Sequence, residues 1–466
     1  MTLPHTLPAL SEVKRWLSAM SVEDRFLQVD EIDNGFALLV AEAPDVASTR
    51  RIGTSRLGEP LLLTTVGSGH RDAVVVSGVH PNEVACFQTA AQLARLATFD
   101  AEFRAAYDYT WHFVHNLDPD GSRLNERWFD RPGDFDAYTK DFFRPAPDAQ
   151  PEWTFPTAYR DAYFDRMLPE TQALARVIDE LRPELYVSLH GSEAGGAYWY
   201  VSQWDPELMH DLHDVARFAG VDVDQGEAES AHMTQLADGV YLASRFAAEY
   251  DAAVAAEEDP TLGFLGSSST EYAAAHGAAT LIPEVPYWTH AVTPTGKTSE
   301  SHASMLSRTA QALGDVASSL NAQMALVRAD MTIPSPFWSA SEAFIPLIAE
   351  DAASDLRRVA VSTEDRPATA AETASRETRV RGFVLRYGGM FRRALKVQVD
   401  AGLASPAVRT ALATVSALVD EWLRRGEPVP LKPLSVNAMV MLQAGSVLVF
   451  ANEIARRRST AALAHS

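Results

Sequence analysis

The segment Gly78-Val79-His80-Pro81-Asn82-Glu83 places a histidine and a carboxylate three positions apart, directly after the β-branched run Val74-Val75-Val76. In a turn leaving a buried strand, both side chains can face one ion. Imidazole nitrogen and carboxylate oxygen are zinc ligands, and catalytic zinc sites use three protein ligands with one position kept for water. A third ligand therefore has to come from elsewhere in the chain. His190 is the outstanding candidate, because it ends the apolar run Leu185-Tyr186-Val187-Ser188-Leu189 and precedes Gly191-Ser192. Glu284 likewise ends the run Ala279-Thr280-Leu281-Ile282, where a carboxylate is costly to bury unless it has a task or a partner.

The elements that must position these residues repeat one pattern. The run at Val74 is followed by helix-favouring sequence from Val84 to Leu96. Tyr109 to Leu117 reads as a strand, and Leu174, Val177, Ile178 and Leu181 form the stripe of a core-facing helix ahead of the strand at Leu185. Further strands are predicted at Ala197 to Ser202 and at Ala278 to Val285, with helix between them. Strands separated by helices imply an α/β fold, with a mixed, mostly parallel twisted sheet covered by helices on both faces. His80, His190 and Glu284 then each sit at the C-terminal end of a parallel strand, the edge at which open α/β sheets bind ligands.

After about Asn321 the sequence turns Ala-, Arg- and Glu-rich, which predicts a helical C-terminal region interrupted by a polar stretch around Ser362 to Arg379. Pro406 starts a helix carrying Val408, Leu412, Val415, Val419 and Trp422. The expected divisions are an N-terminal helix and extended segment over 1–50, the α/β region over 51–323, and the helical region over 324–466.

The chain has 466 residues, 47% of them hydrophobic, enough for a sizeable core and more than one ordinary domain needs. A formal net charge of -22 repels phosphate backbones and anionic lipid surfaces, so nucleic acid and membrane partners are not expected. A peptide or small amide fits better, and the C-terminal helices offer a surface for homo-oligomerisation. Cys86 is the single cysteine, so no intrachain disulfide can form, and a cytoplasmic location is expected. The N-terminus lacks the uninterrupted apolar core of a secretory signal. The longest apolar run, Ala438 to Ala451, is short for a bilayer and reads as a buried helix.

Order and spacing together resemble the zinc-dependent metallocarboxypeptidase family: a His-x-x-Glu turn at His80 to Glu83, His190 some 110 residues later, and Glu284 some 94 beyond that. Asp118-Pro119-Asp120-Gly121 is similar to the family's Asn-Pro-Asp-Gly turn, and Gly266 to Tyr272 resembles the Gly/Ser stretch lining its side-chain pocket, with Thr270 at the floor. The resemblance covers roughly Arg51 to Gln323. It implies one zinc ion on His80, Glu83 and His190, with Glu284 as general base.

It also implies grips that this sequence alters. Where family members carry Asp-x-Asn-Arg, the nearest equivalent here is Arg123-Leu124-Asn125-Glu126, with the charged positions reversed. Glu126 would repel a substrate's terminal carboxylate or recognise a cationic group. Arg123, Arg127 or Arg144 would restore a cationic contact, a guanidinium being the natural bidentate partner of a carboxylate. Arg123 or Arg127 would also stabilise the developing oxyanion. Phe264 lies near the family's tyrosine position, with Tyr272 and Tyr287 as replacements, and Asp118 or Asp120 would hold a ligand histidine. The activity implied is a metallocarboxypeptidase releasing a C-terminal amino acid. The alternatives are a zinc amidase or deacylase acting on N-acyl amino acids, and an inactive zinc-binding interaction protein.

Overall fold

The computed structural model describes residues 7–464 apart from 227–232, 256–258, 262–264, 292–294, 362–365 and 427–428. Its centre is a nine-stranded sheet of β1 (Ala47–Thr54), β2 (Pro60–Val66), β3 (Arg71–Val76), β4 (Tyr109–Val114), β5 (Leu185–Ser188), β6 (Tyr198–Val201), β7 (Gln235–Ala237), β8 (Val240–Leu242) and β9 (Ala279–Glu284). The spatial order is β1-β2-β4-β3-β5-β9-β6-β8-β7. The four central strands, β4, β3, β5 and β9, run parallel, while β1, β2, β6 and β7 add antiparallel pairings towards the edges. Val187 of β5 faces Val75 on one side and Leu281 on the other, so three neighbouring parallel strands end nearly level.

The central strands are buried at most positions because both faces are covered. Ala73 and Val75 of β3 belong to one core cluster, Val74 and Val76 to another, as the two-residue period of a strand requires. The principal helices are α1 (Leu10–Ala19), α2 (Val29–Glu42), α3 (Ala85–Phe99), α4 (Pro169–Leu181), α5 (Pro206–Ala219), α6 (Ser269–Ala275), α7 (His302–Val327), α8 (Pro336–Val361), α9 (Ala370–Asp400), α10 (Pro406–Arg425) and α11 (Val436–Ala464). α4 and α6 cover one face of the sheet; α3, α5 and α11 cover the other.

Two local expectations are corrected. The extended segment predicted before residue 50 is largely α2, which starts with a Gln28/Glu31 capping box. The polar stretch predicted to interrupt the C-terminal helices is, from Ala370 onwards, the first turns of α9. Thr369 accepts from the Glu372 amide at 3.1 Å while the Glu372 carboxylate accepts from the Thr369 amide at 2.8 Å, a polar start that resembles a loop in sequence.

The helices after Asn321 divide between two tasks. α7, α8, α9 and α10 pack around Leu320, Ile345, Leu385 and Val415 as a bundle, stitched to the sheet domain by Trp288–His290 pairing with Leu431–Pro433. α11 leaves that bundle and runs through the main core against α3 and α5, with Leu442, Val447 and Phe450 buried. Its stretch Val436–Thr460 is longer than the apolar run suggested and is long and apolar enough by composition to cross a membrane. Of its most apolar window, 94% is buried inside the protein, so the apolar character is that of a core helix.

Candidate active site

The ligand turn is built by backbone constraint. Gly78 adopts φ +68°, and a Cβ there would fall 2.1 Å from Asn116 Oδ1, so only glycine lets the chain turn out of β3. The buried Tyr287 hydroxyl donates to the Asn82 carbonyl at 2.6 Å and accepts from the Val84 amide at 2.7 Å, clamping the turn on both sides of Glu83. The Cys86 thiol donates to the Glu83 carbonyl and accepts from the Gly78 amide. The cysteine is a structural part of this loop, and burial pushes its pKa up.

His190 arrives from the neighbouring strand end. Its loop passes so close to Glu83 that a Cβ at Gly191 would meet Val285 O at 3.2 Å and Glu83 Cβ at 3.8 Å. His80, Glu83 and His190 are all buried, with one ligand atom from each within 4.8 Å of the others. Nδ1 of both histidines points at the carboxylate: His80 Nδ1 lies 3.1 Å from both Glu83 oxygens and His190 Nδ1 lies 3.2 Å from Oε2. The two rings meet edge to face, 4.7 Å between centroids. Two imidazoles and a carboxylate, buried and convergent, suit zinc.

Arg144 Nη1 also donates to Glu83 Oε1 at 2.7 Å. Burial opposes ionisation of Glu83, but His80 and Arg144 overcome it and hold the carboxyl well below the usual range. Burial, then Arg144, drive His80 down to about 3. For His190 burial works the same way, but Glu83 and Glu284 outweigh it and raise the ring to about 9.

Behind His190 lies a buried polar chain that the sequence did not announce. Ser188, two residues earlier on the same face of β5, places Oγ 3.0 Å from His190 Nε2. Its hydroxyl reaches Glu152 Oε2 at 3.5 Å, and Ser269 Oγ donates to both Glu152 oxygens at 2.9 and 2.7 Å. Glu152 is fully buried and makes no ion pair with lysine or arginine among the described residues; burial raises its pKa. From the core side, Gln443 of α11 donates to the His190 carbonyl at 2.5 Å while accepting from Thr89 Oγ1 at 2.7 Å. His80 has no such support: its Nε2 is buried without a hydrogen-bond partner among the described residues.

Glu284 closes the group. It ends β9, bridges backbone to backbone with His190, and brings Oε1 to 3.6 Å from His190 Nδ1. All four residues line a cavity of about 660 Å³ together with Arg144 and Thr270.

The other residues singled out from the sequence lie elsewhere. Arg123 pairs with Glu59 at 2.5 Å and Asp30 at 2.6 Å, and Arg127 is exposed beside Asp141. Asn125 is buried and spent on the backbone of Gly121 and Phe143 and on the Trp128 indole. Glu126 accepts from the Val29 amide at the start of α2. Tyr287 serves the turn, as above. Tyr272 donates to Asp179, Asp118 caps Gly121, and Asp120 binds Ser55, so neither aspartate supports His80. Phe264 lies outside the described residues. The common reason is alignment: the segment after Gly121 folds back against the N-terminal helices, and the cavity wall is formed later, from Phe135 to Trp153.

That wall continues beyond the α/β region. α8 and α9 line the cavity too, with Phe344 from the first and Arg376, Phe383, Arg386 and Tyr387 from the second.

Residues 32–257 match the zinc carboxypeptidase family. Those residues, just under half of the chain, resemble that family's domain. The match includes His80, Glu83 and His190 and ends before Thr270 and Glu284, which the fold brings to the same cavity. With that resemblance comes the reaction class, zinc-dependent hydrolysis of a peptide or amide bond. Among solved structures, the chain is similar to bovine thrombin-activatable fibrinolysis inhibitor in complex with tick carboxypeptidase inhibitor, at 13% identity, covering 56% of this chain and 86% of that one with a TM-score of 0.36. It is similar to carboxypeptidase A from Helicoverpa armigera, at 13% identity, 76% and 80% coverage and a TM-score of 0.36. It is also similar to the murein-tripeptide amidase MpaA from Escherichia coli O157, at 17% identity, 51% and 83% coverage and a TM-score of 0.27. No curated protein matches the chain.

Proposed function

We propose that this chain is a metallocarboxypeptidase, hydrolysing the amide bond that joins a C-terminal amino acid to its acyl partner. The observation that carries the reading is the convergence of Glu284 on the His80, Glu83 and His190 cluster at one cavity wall. His80 and His190, through Nδ1, and Glu83 would hold the zinc ion. Zinc, when bound, supplies the positive charge that acidifies a water and polarises a carbonyl. Glu284 takes the proton of the attacking water and returns it to the leaving nitrogen, the ordinary duty of a general base turned acid. Arg144, which lines the cavity beside Glu83, replaces Arg123 and Arg127 as the cation facing the substrate. Its charge suits a developing oxyanion or a terminal carboxylate. Thr270 contributes to the wall against which the substrate side chain rests.

A second reading, an amidase acting on N-acyl amino acids, is favoured by the side chains that α8 and α9 add to the cavity wall, because a narrower cavity suits a short substrate better than the end of a long chain.

The deciding experiment is a zinc assay with a substrate panel of N-acylated dipeptides and N-acyl amino acids, run with and without chelator. Chelator-sensitive release of the C-terminal amino acid from the dipeptides is the expected result. Cleavage confined to the N-acyl amino acids would move the protein to the amidase reading. Absence of zinc-dependent hydrolysis on the whole panel would overturn both.

A further inference from the structure

The bundle that follows the matched residues does more than line the cavity. Arg386, in the middle of α9, is brought into the same cavity as the metal cluster with its side chain only 12% exposed. Its guanidinium lies 5.4 to 5.5 Å from the ring centroids of Phe142, Phe383 and Tyr387, an aromatic seat that fixes the planar group. Nε donates to the Gly382 carbonyl at 3.2 Å, and Nη1 donates to Glu193, whose carboxylate also accepts from the Tyr138 hydroxyl at 2.9 Å. Nη2 makes no hydrogen bond to the protein among the described residues.

Arg144, which lines the same cavity, shows the same incompleteness. Its Nε and Nη1 are taken by Gln150, Asn82 and Glu83, and its Nη2 is likewise unbonded to the protein among the described residues. A guanidinium carries five donors in a planar fork, and a buried one keeps an open edge only where something else completes it.

We propose that Arg386 is a specificity-determining residue. Through its open Nη2 edge it receives a carboxylate of the substrate in the cavity it shares with Arg144, so that the helical region after the matched residues supplies part of the anion grip. The inference rests on the hydrolase reading above and deepens it. The substrate is an amide whose released or retained part ends in a free carboxylate held in that cavity, whichever of the two amide classes it belongs to.

The test separates binding from turnover. Full-length protein carrying Glu284→Gln is loaded with zinc, and its affinity for N-acetylated dipeptides is compared with that for the corresponding C-terminal carboxamides by calorimetry. The free acids are expected to bind more tightly. Adding Arg386→Gln should remove that preference, weakening the acids by roughly tenfold to a hundredfold, the worth of a hydrogen bond to a charged group, while leaving the carboxamides unchanged. Arg386→Lys keeps the charge but not the planar fork, so a reduced acid preference is expected there, which provides the comparison if the glutamine variant does not fold. Glu193→Gln gives a readout that a purely structural ion pair would not: it releases Arg386, so acid binding is retained or tightened, whereas disruption of a structural pair would weaken both ligands from either side. Acid preference surviving in Arg386→Gln and Arg386→Lys, or equal binding of acids and carboxamides to the parent protein, overturns the proposal. Acid-selective binding that depends on Arg386 in a protein whose Glu284 form hydrolyses nothing would leave the proposal standing and remove the hydrolase reading instead.

Discussion

Glu284 Oε1 sits 3.6 Å from His190 Nδ1 while the two residues share a backbone bridge between adjacent parallel strand ends. One carboxylate is thereby fixed beside the metal cluster by main-chain pairing rather than by side-chain contacts alone. Glu284→Gln preserves that pairing and removes only the base. We expect zinc stoichiometry to be unchanged and kcat/KM to fall by about 10²- to 10⁴-fold, as metal analysis and initial rates on the active substrate will show. Activity retained within a few-fold would take the base role away from Glu284.

Zinc should also stabilise the fold, because the buried cluster binds it in the native state and is dispersed in the unfolded chain. At a free zinc concentration a hundred times the dissociation constant, the gain is about 2.7 kcal/mol. Thermal unfolding of chelated and zinc-replete protein measures it, and His80→Ala should abolish the difference.

Glu152 reaches His190 only through Ser188, yet this chain holds Nε2 and leaves Nδ1 for the cluster. Partners behind a ligand histidine typically contribute 10- to 100-fold in metal affinity. Glu152→Gln and Ser188→Ala are each expected to weaken zinc by roughly that factor in chelator competition, and to alter the visible spectrum of the cobalt-substituted protein. Unchanged affinity and spectrum would reduce Glu152 to a packing residue.

Gln443 ties the His190 carbonyl to Thr89 from within the core. Gln443→Met fills much of the same space but leaves that carbonyl without a partner, a loss of about 1–3 kcal/mol. Urea unfolding should show a lower midpoint with an unchanged slope.

Asp118 provides a test by pH away from the site. Burial raises its carboxyl from 3.8 to about 7, with Arg56 too distant to offset it fully. The folded state therefore favours the protonated form, so its contribution is complete below about pH 4 and is lost as pH rises to about 7. The stability of wild type relative to Asp118→Asn should fall across that window and level off above it, measured by denaturant unfolding at a series of pH values. A difference independent of pH would show that Arg56 keeps the carboxylate ionised throughout.

Local chemistry was legible where it coincides with an element end. The β-branched run before His80, the apolar strand before His190 and the one before Glu284 each announce a buried strand followed by a polar residue. Three such ends fall together once the strands are parallel and adjacent. Helix stripes were legible for the same reason of period, as in α4 and α10. α2 and the start of α9 were not, because acidic and small residues at a capped helix start have the composition of a loop.

Of the three arginines read from the sequence as candidate substrate contacts, Arg144 lines the cavity and Arg123 and Arg127 do not. Arg123, Asn125, Glu126 and Arg127 have the right residue types, but each is drawn to a partner outside the cavity: Glu59 and Asp30, the Phe143 backbone, the Val29 amide and Asp141.

The sequence by itself determined the parallel strands at the centre of the sheet, the residue types of the cluster and the edge at which they gather, since strand period and burial cost act over a few neighbouring residues. Only the tertiary structure decided which polar residues surround that cluster. Glu152, Glu193, Arg386 and Gln443 come from segments with no shared spacing, and they meet His190 or its cavity because α9 lines that cavity while α11 is buried in the core. A contact made across such sequence separations is fixed by packing of whole elements, and no local pattern encodes it.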